Sequence, residues 1–425
     1  MLPRPAHHLP TDSLAYALHS AARIVADVLA GRSLADGALA RVEASARPAV
    51  QDLVYGTLRQ YGRGEFLLAR LLARPVTVPE IHALLLVALQ RLTARPETAH
   101  TVVDQAVSAA GLVARGALRG LVNGVLRNYL RQQESLQVAA AADQVASLQH
   151  PRWWVERLRQ AYPEQWPAIV AAGNQPPPMA LRVNRRRCQR PDYLDRLAAA
   201  GIAARPGDGD DCLLLERPVP VERLPGFAEG LVSVQDPGAQ RAAGLLAPSP
   251  GSRVLDACAA PGGKAAHLLE RADIDLLALD LKPARCRRIE ENLSRLGLTA
   301  AVKAADCSRL DTWWDGRPFA AVLADVPCTA SGVVRRHPDA KWLRRDEDVA
   351  GFARTQATIL DALWQVVEAG GTLLYATCSI FPEENTGQVE RFLARQPRAR
   401  KGREEQLLPT EIHDGFYYCL LEKLD

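Results

Sequence analysis

Long apolar runs are missing from this chain of 425 residues. The longest, Ala83 to Leu89, is far shorter than the roughly 20 residues that a membrane-spanning helix needs. The N-terminal segment MLPRPAHHLPTDS also lacks the apolar centre of a secretory signal peptide. We therefore expect a cytoplasmic protein that has neither a membrane anchor nor a membrane partner.

Patterns typical of metal sites and of disulfide frameworks are missing as well. The eight cysteines include no Cys-x-x-Cys pair, and they scatter without the spacing of a zinc site. Thiols stay reduced in the cytosol, so we expect free cysteines and no bound metal. A strongly basic balance is absent too, because the net charge is only +4. Affinity for nucleic acid would have to come from local patches.

Two runs of basic residues are candidates for such patches. A run of like charges usually forms a solvated surface, so each candidate competes with that simpler reading. The second run is favoured over the first because it directly follows the segment of Cys328, a candidate catalytic residue. The two candidate patches are Arg182, Arg185, Arg186, Arg187 and Arg190, and Arg335, Arg336, Lys341, Arg344 and Arg345.

The hydrophobic pattern divides the chain into three parts. From Ser13 to about Gln133, apolar residues recur every three or four positions, as in IHALLLVALQRL (81–92), which predicts a helical bundle. Residues 179–218 alternate strand, helix and strand patterns, which predicts a small α/β subdomain. We place the domain boundaries at 1–145 for the helical domain, 146–225 for the subdomain and 226–425 for a third domain.

The third domain has the pattern of a doubly wound, Rossmann-like sheet. Short apolar runs that read as strands alternate there with helical segments, an order typical of parallel α/β folds. A closing pair near 416–423 is expected to add an antiparallel edge. The predicted strands are 253–258, 276–281, 301–305, 320–325 and 372–377.

Two cysteines follow two of these predicted strands. Cys328 lies in LADVPCTASG (323–332) and Cys378 in LLYATCSIFPEEN (373–385). Because the carboxyl ends of such strands face the ligand crevice, we expect both thiols in one active site. A lone strand cysteine usually behaves as a small buried hydrophobe. We assign that bland role to Cys188, Cys212, Cys286, Cys307 and Cys419.

A pair of thiols suits attack on a cytosine ring. Thiolate addition at carbon 6 turns carbon 5 into a nucleophile, but a thiol with a pKa of about 8.5 is only a few per cent ionised at neutral pH. Asp325, three residues before Cys328, is placed to hold a proton on ring nitrogen 3. That role requires a carboxyl kept partly neutral by burial. The base must also leave its stack, which costs least in single-stranded or loop RNA.

A small-residue loop offers a site for a methyl donor. RVLDACAAPGGKAAHLLE (253–270) predicts a strand, a turn and a helix. Its pattern is neither the phosphate-binding Gly-x-x-x-x-Gly-Lys-Ser/Thr nor the dinucleotide Gly-x-Gly-x-x-Gly. S-adenosylmethionine, which carries no phosphate, remains, although an isolated Gly-Gly more often marks only a tight turn. The candidate loop residues are Cys258, Ala259, Ala260, Pro261, Gly262, Gly263 and Lys264.

Acidic residues end the next two predicted strands. Asp280 follows Gly262 by 18 residues, close to the spacing at which an acid holds ribose hydroxyls. Asp306 is placed to accept a hydrogen bond from the adenine amino group. We count Asp325 among the cofactor-binding candidates as well.

Together these motifs resemble those of the RNA cytosine-C5 methyltransferases of the RsmB/NOL1/NOP2/Sun family. Segments further upstream resemble the bacterial members that act on 16S ribosomal RNA, so the resemblance covers most of the chain. The motifs that carry it are DACAAPGGK (256–264), ADVPCTASGVVRRHPDAKWLRR (324–345), YATCSIFPEEN (375–385), GTLRQYGR (56–63), LVNGVLRN (121–128) and VSVQDPGAQ (232–240).

The resemblance implies more than the residues alone could. It implies an all-α N-terminal domain similar to the antitermination factor NusB and a class I methyltransferase domain that uses S-adenosylmethionine. It makes Cys378 the nucleophile and Cys328 the residue that assists breakdown of the covalent adduct. The implied target is cytosine 967 of 16S ribosomal RNA, free or in a small-subunit assembly intermediate. We expect a monomer.

Two other functions remain open at this point. An RNA-binding module of the antitermination type would leave the C-terminal half as a degenerate scaffold, which two intact cysteine motifs argue against. A cytosine-C5 methyltransferase acting on DNA is disfavoured by the Thr-Cys-Ser motif and by the helical N-terminal extension. A methyltransferase acting on another RNA would share every motif.

Overall fold

The computed structural model describes residues 9–425. The prediction that the chain carries no signal peptide concerns an N-terminal segment that lies partly outside this range. Within it, no helix is both long and apolar enough to cross a membrane. The α-helices of this range are α1 (Leu14–Leu29), α2 (Arg47–Arg59), α3 (Tyr61–Leu71), α4 (Pro79–Ala94), α5 (Ala99–Ala110), α6 (Arg119–Arg131), α7 (Gln133–Ala142), α8 (Gln144–Leu148), α9 (Arg152–Ala161), α10 (Trp166–Asn174), α11 (Arg190–Ala199), α12 (Pro237–Leu246), α13 (Gly263–Arg271), α14 (Pro283–Leu296), α15 (Ala340–Leu343), α16 (Asp346–Val366) and α17 (Thr386–Arg395).

Within residues 9–425, the first strand begins at Ala180. The strands are β1 (Ala180–Val183), β2 (Ala204–Pro206), β3 (Cys212–Leu215), β4 (Val232–Val234), β5 (Arg253–Asp256), β6 (Asp275–Asp280), β7 (Ala301–Ala304), β8 (Phe319–Asp325), β9 (Val367–Thr377), β10 (Ala399–Leu407) and β11 (Phe416–Lys423).

The chain divides into two compact units, and the first is helical. It comprises the residues up to Asn174 together with Val334–Arg345. Helix α4 is apolar on all sides, with Ile81 and every residue from Ala83 to Leu89 buried. A helix of that kind must be surrounded by others, and α1, α2, α3, α5 and α6 pack around it. The predicted helical bundle is confirmed.

The segment Val334–Arg345 belongs to this helical unit although it follows the Cys328 loop in sequence. The Asp339 carboxylate accepts hydrogen bonds from the Ser33 hydroxyl at 2.9 Å and from the Leu34 backbone N–H at 3.0 Å. The Trp342 indole donates to the Leu58 carbonyl at 2.8 Å, and its ring meets Tyr61 edge-on at 4.9 Å. Polar anchors and an aromatic contact therefore hold the segment on the bundle.

The same segment excludes Arg335 and Lys341 from the basic RNA-binding patch predicted at 335–345, while Arg336, Arg344 and Arg345 stay a prediction. Lys341 is fully buried and donates to the Asn174 side chain at 2.9 Å, and Arg335 is only 2% exposed. Burial, followed by the charge of Arg59, lowers the pKa of Lys341 to about 7. Neither side chain is available to a phosphate backbone, because packing within the unit already covers it.

The second unit contains two sheets, and the smaller one has four strands. Its order is β2-β3-β1-β4 with every pair antiparallel, and α11 packs Tyr193 and Leu197 against it. This confirms the small α/β subdomain. Strands β2 and β4 were not predicted, since three residues are too few to show a pattern.

Strand β1 contains Arg182, which the structure excludes from the first predicted basic patch. Arg182 is fully buried, and its guanidinium pairs with both carboxylate oxygens of Glu270 at 2.7 Å. The remaining guanidinium nitrogen of Arg182 donates a hydrogen bond to the Gly263 carbonyl at 2.7 Å, at the start of α13. Arg182 is therefore a structural residue that supports the glycine loop and does not contact RNA.

The larger sheet has seven strands in the order β10-β11-β9-β8-β5-β6-β7. The five strands from β5 to β9 are parallel, and β11 and β10 add an antiparallel edge. Apolar residues of α12, α13 and α14 pack on one face and those of α16 and α17 on the other. This is the predicted doubly wound, Rossmann-like fold. Strand order reverses around β5, so the carboxyl ends of β5 and β8 open onto the expected ligand crevice.

Candidate active site

The two predicted catalytic cysteines meet at the carboxyl ends of β8 and β9. These strands are parallel neighbours, with Asp325 opposite Ala376, so the loops that follow them leave the sheet side by side. The two sulfur atoms lie 3.3 Å apart. Cys328 is 8% exposed and Cys378 is half-buried. The structure therefore places together the two thiols that the sequence predicted to share a site.

The two thiols differ in their surroundings. The hydrogen bond with Cys378, then burial, and then the charges of Cys378 and Glu384 raise the pKa of Cys328 well above its ordinary value. A raised pKa disfavours the Cys328 thiolate, so the Cys328 thiol can donate a hydrogen bond to the other sulfur.

Asp325 at the end of β8 forms an ion pair with Lys264 from the first turn of α13. The Lys264 ammonium lies 2.5 Å from a carboxylate oxygen of Asp325. Burial acts to lower the pKa of Lys264, but the charge and hydrogen bond of Asp325 and the charge of Cys378 outweigh it and raise that pKa. A cation thus lies beside both the carboxylate and the nucleophile candidate.

This ion pair corrects one expectation about Asp325. The sequence suggested a carboxyl kept neutral by burial, but the side chain is 29% exposed and its partner is an ammonium group. The structure therefore places an ammonium group beside the carboxyl that the sequence predicted to be isolated by burial.

The predicted cofactor loop curves tightly between β5 and α13. Gly262 has φ of +98°, and a Cβ there would lie 3.2 Å from the Ile289 backbone. A Cβ at Gly263 would make only an ordinary van der Waals contact, with the Gln235 amide at 3.6 Å. The predicted tight turn is present, and its role as a ligand site stays a prediction.

Asp280 ends β6 and Asp306 follows β7, so the two predicted acids lie on the same side of β5 in the sheet. Asp280 is 3% exposed, and its carboxylate accepts from the backbone N–H groups of Ala260 at 3.3 Å and Lys282 at 3.2 Å. Asp306 uses one oxygen for the Ser308 N–H and hydroxyl, at 2.9 and 2.7 Å. A carboxylate has about four acceptor positions, so each acid can still accept from ribose or adenine. These acceptors fit the ribose hydroxyl groups and the adenine amino group of S-adenosylmethionine.

Two further groups of this site carry no role in the sequence prediction. Cys307 was assigned to bland burial, yet its sulfur lies 3.9 Å from that of Cys258 in the cofactor loop. Glu384, in the motif that contains Cys378, is fully buried. A glutamate three residues after an aromatic residue at a turn resembles any surface acid, so the sequence offered no signal for it.

Asp256, at the end of β5, is a third such group. Burial and then the charge of Asp325 raise its pKa to about 7. The folded state therefore holds this proton up to about pH 7, whereas an unfolded aspartate releases it near pH 4. Between those values the unfolded chain binds fewer protons, so Asp256 makes the free energy of unfolding fall as pH rises.

We predict that Asp256→Asn removes this pH-dependent loss of stability. Relative to the variant, the wild-type free energy of unfolding should fall by up to about 4 kcal/mol between pH 4 and pH 8, because a shift of one pKa unit is worth about 1.4 kcal/mol. Urea unfolding at several pH values measures it. Asp275→Asn, which changes an exposed carboxylate on the same sheet, is the control. If the free energy of unfolding changed with pH by the same amount in the wild type and in Asp256→Asn, the prediction would be wrong.

Within residues 9–425, no three His, Cys, Asp or Glu side chains cluster in a way that could hold a metal ion. The groups that surround the two thiols are instead the Lys264–Asp325 pair, the loop acids and hydroxyl side chains. Such a set provides one soft nucleophile, one cation and several hydrogen-bond acceptors. It suits addition to an electron-poor ring followed by group transfer.

Comparisons with protein families cover nearly the whole chain. Residues 243–422 match the family described as 16S rRNA methyltransferase RsmB/F. Residues 150–222 match the ferredoxin-like domain of the RsmF/B-like methyltransferases, and residues 17–131 match the NusB family. The three matches follow the same order as the helical bundle, the small sheet and the large sheet.

Two bacterial relatives align over most of their own length. The chain is 46% identical over 387 residues to a protein of Vibrio cholerae serotype O1 named ribosomal RNA small subunit methyltransferase B, covering 88% of this chain and 89% of the relative. It is 44% identical over 433 residues to the protein of the same name in Pseudomonas syringae pv. tomato, covering 95% and 96%.

Solved structures agree on the fold. The crystal structure of PH0851 superposes with a TM-score of 0.82 and covers 98% of this chain and all of that one, at 21% sequence identity. A methyltransferase homolog protein from Pyrococcus horikoshii superposes with a TM-score of 0.59 at 26% identity and covers 66% of this chain and 97% of that one. The arrangement of the large sheet is thus shared with known methyltransferase structures.

Proposed function

Because this chain belongs to the RsmB/F family of 16S rRNA methyltransferases, we propose that it methylates carbon 5 of one cytosine in 16S ribosomal RNA. The methyl donor is S-adenosylmethionine, and the target by family resemblance is cytosine 967. The observation that carries the chemistry is the pair of sulfur atoms 3.3 Å apart beside the Lys264–Asp325 ion pair.

The first step is attack by the Cys378 thiolate on carbon 6 of an extruded cytosine. One S–C bond forms, and the electron pair of the carbon 5–carbon 6 double bond moves into the ring toward nitrogen 3. The Lys264–Asp325 pair supplies the proton that nitrogen 3 takes up, so the ring becomes a neutral enamine. Carbon 5 is then the nucleophilic atom of the adduct.

The residues that would hold the cofactor surround the loop between β5 and α13. Asp280 and Asp306 are placed for ribose and adenine, and the backbone of 258–263 can lie against the ligand. When bound, the cofactor supplies an electrophilic methyl group to carbon 5.

Release of the product requires three bonds to break. Carbon 5 loses its proton to solvent water, and the electrons of that C–H bond restore the carbon 5–carbon 6 double bond as the S–C bond breaks and its electron pair leaves on Cys378. The proton on nitrogen 3 returns to the Lys264–Asp325 pair. The Cys328 thiol lies where it can donate a hydrogen bond to the departing Cys378 thiolate. A protonated Cys328 therefore assists breakdown and does not compete as a second nucleophile.

The helical domain over 1–145 is proposed to position the RNA. It contains no cluster of acid, base and nucleophile, while every proposed catalytic residue lies beyond Asp256. We also propose that the protein acts in the cytoplasm as a monomer, on free 16S RNA or on a small-subunit assembly intermediate. The small α/β subdomain over 146–225 and the methyltransferase domain over 226–425 complete the proposed organisation.

Methyl transfer to matched substrates tests the proposal. We expect the purified protein to transfer a labelled methyl group from S-adenosylmethionine to a 16S RNA transcript and not to DNA of the same sequence. Bisulfite sequencing of ribosomal RNA from a deletion strain should show loss of one 5-methylcytosine, at position 967. Methylation of the DNA transcript, or an unaltered bisulfite profile, would contradict it.

We predict that Asp280→Ala weakens cofactor binding about 10- to 100-fold. Hydrogen bonds to a charged group contribute about 1.5–3 kcal/mol, and 1.4 kcal/mol is tenfold in affinity. Calorimetric titration with S-adenosylmethionine measures the loss, with Asp311→Ala at an exposed position as control. Unchanged affinity in a folded Asp280→Ala variant would exclude Asp280 from the ribose site.

A further inference from the structure

One buried carboxylate joins the two cysteine loops. Glu384 is fully buried, and its first oxygen accepts from the Thr329 backbone N–H at 2.9 Å and from the Gln356 side chain at 3.0 Å. Its second oxygen accepts from the hydroxyl groups of Thr329 at 2.6 Å and Ser379 at 2.5 Å. These four bonds fill the acceptor capacity of a carboxylate.

Each hydroxyl partner directly follows one of the two cysteines in sequence. Thr329 follows Cys328, and Ser379 follows Cys378, so the carboxylate bridges the two positions next to the thiols. Gln356 on α16 also donates to the Pro327 carbonyl at 3.0 Å, which holds the other side of Cys328. Both flanks of Cys328 are thereby tied to the same network.

Other bonds between the loops depend on the same arrangement. The hydroxyl groups of Ser331 and Ser379 lie 2.9 Å apart, and the Ser331 hydroxyl accepts from the Ile380 N–H at 2.9 Å. The Gly332 N–H donates to the Cys378 carbonyl at 2.9 Å. Removal of Glu384 would leave several buried donors without their acceptor, which is unfavourable in a buried site.

We propose that Glu384 is the positioning residue of this site: its carboxylate holds the Cys328 loop against the Cys378 loop and so sets the distance between the two sulfur atoms. The inference rests on the proposed function for its catalytic meaning. Its geometric content concerns the thiols alone and can be measured without RNA.

The charge of Glu384 contributes to the raised pKa of Cys328. Burial raises the pKa of Glu384, and the hydrogen bonds from Ser379, Thr329 and Gln356 oppose that shift. In the described part of the chain no lysine or arginine forms an ion pair with it. The charged and titratable groups around the two loops are Tyr375, whose hydroxyl donates to the Glu384 carbonyl, Arg391, which donates to the Glu383 carbonyl, and the Lys264–Asp325 pair.

Disulfide formation between Cys328 and Cys378 measures the positioning directly. Diamide, an azodicarboxamide oxidant, takes two hydrogens from a thiol pair to give one disulfide and its own hydrazine form. We expect Glu384→Ala to slow formation of the Cys328–Cys378 bond at least tenfold. The Cys258–Cys307 pair, 3.9 Å apart in the same unit, is the internal control and should react at the wild-type rate. Glu390→Gln, at an exposed position on α17, is the matched charge control.

Glu384→Gln separates the charge from the geometry. The amide oxygen can replace the acceptor for Thr329 and Gln356, and the two hydroxyl groups can turn to accept from the amide nitrogen. We expect near-wild-type disulfide formation but a lower pH midpoint for alkylation of Cys328 by iodoacetamide, which peptide mass spectrometry follows.

Kinetics connects this positioning with the reaction. A displacement of about 1 Å in a reacting group can cost about 100-fold, so Glu384→Ala should lower kcat by that factor while cofactor affinity changes less than threefold. An unchanged disulfide rate in Glu384→Ala would overturn the inference. If that variant does not fold, Ser379→Ala, which removes the bond from the Cys378 loop to the carboxylate, should slow disulfide formation, and an unchanged rate in it would overturn the inference. Failure of the wild-type protein to methylate RNA would overturn the proposed function and leave the disulfide result standing.

Discussion

Replacement of Cys378 by alanine is expected to abolish methyl transfer, with a fall on the order of 10⁶ in kcat, as seen when other covalent enzymes lose their nucleophile. Without the S–C bond, carbon 5 of cytosine does not become a nucleophile, and no other group of the site replaces the thiolate. A filter-binding assay with labelled S-adenosylmethionine and 16S RNA measures the loss. Cys188→Ala, which changes a cysteine between β1 and α11, is the control and should keep full activity.

Cys328→Ala is expected to fail at a different step. Addition by Cys378 remains possible, but the hydrogen bond to the departing thiolate is lost, so the covalent protein–RNA adduct should accumulate. Denaturing gel electrophoresis shows that adduct as a slower band that carries RNA. If Cys378→Ala formed the adduct and Cys328→Ala did not, the two roles would have to be exchanged.

Replacement of Asp325 by asparagine is expected to lower kcat about 10²- to 10⁴-fold, the usual range for loss of a positioned acid–base group. The variant keeps the size of the side chain but removes the carboxylate that pairs with Lys264 at 2.5 Å. Negative charge that develops on the ring during attack by Cys378 then lacks its proton source. Lys264→Met should have a comparable effect because it removes the other half of the pair.

Adduct formation without the methyl donor separates this role from cofactor binding. Asp325→Asn and Lys264→Met should both slow trapping of RNA in the Cys328→Ala background, where the adduct persists. Asp311→Asn, which changes an exposed carboxylate, should trap RNA at the rate of Cys328→Ala alone. Normal trapping in the Asp325→Asn double variant would show that the ion pair does not assist the addition step.

The local pattern of the sequence was enough for most of the fold. Apolar periodicity identified the helical bundle, and the strands predicted at 276–281 and 320–325 correspond to Asp275–Asp280 and Phe319–Asp325. Strand β10 (Ala399–Leu407) was missed. Its residues ARKGREEQL carry charges on both faces because it lies at the edge of the sheet, and an edge strand need not alternate apolar and polar residues.

The basic patches show where a linear pattern misleads. Arg182 and Lys341 belong to runs of charge that resemble solvated surfaces, yet both side chains are fully buried. Glu270 lies 88 residues from Arg182, and Asn174 lies 167 residues from Lys341. Burial and pairing of a charge depend on such distant partners, which no local window contains.

The sequence by itself determined that two thiols follow two strands of a methyltransferase fold, because strand pattern and motif are local properties of the chain. Only the tertiary structure decided that the two strands are neighbours, that the sulfur atoms lie 3.3 Å apart, that Asp325 pairs with Lys264, and that Glu384 ties the two loops together. Each of these depends on how β8 pairs with β9 in the sheet and on where the helices pack against it. Hydrogen bonds and pKa shifts fall off within a few ångströms, so they follow from that packing and not from spacing along the chain.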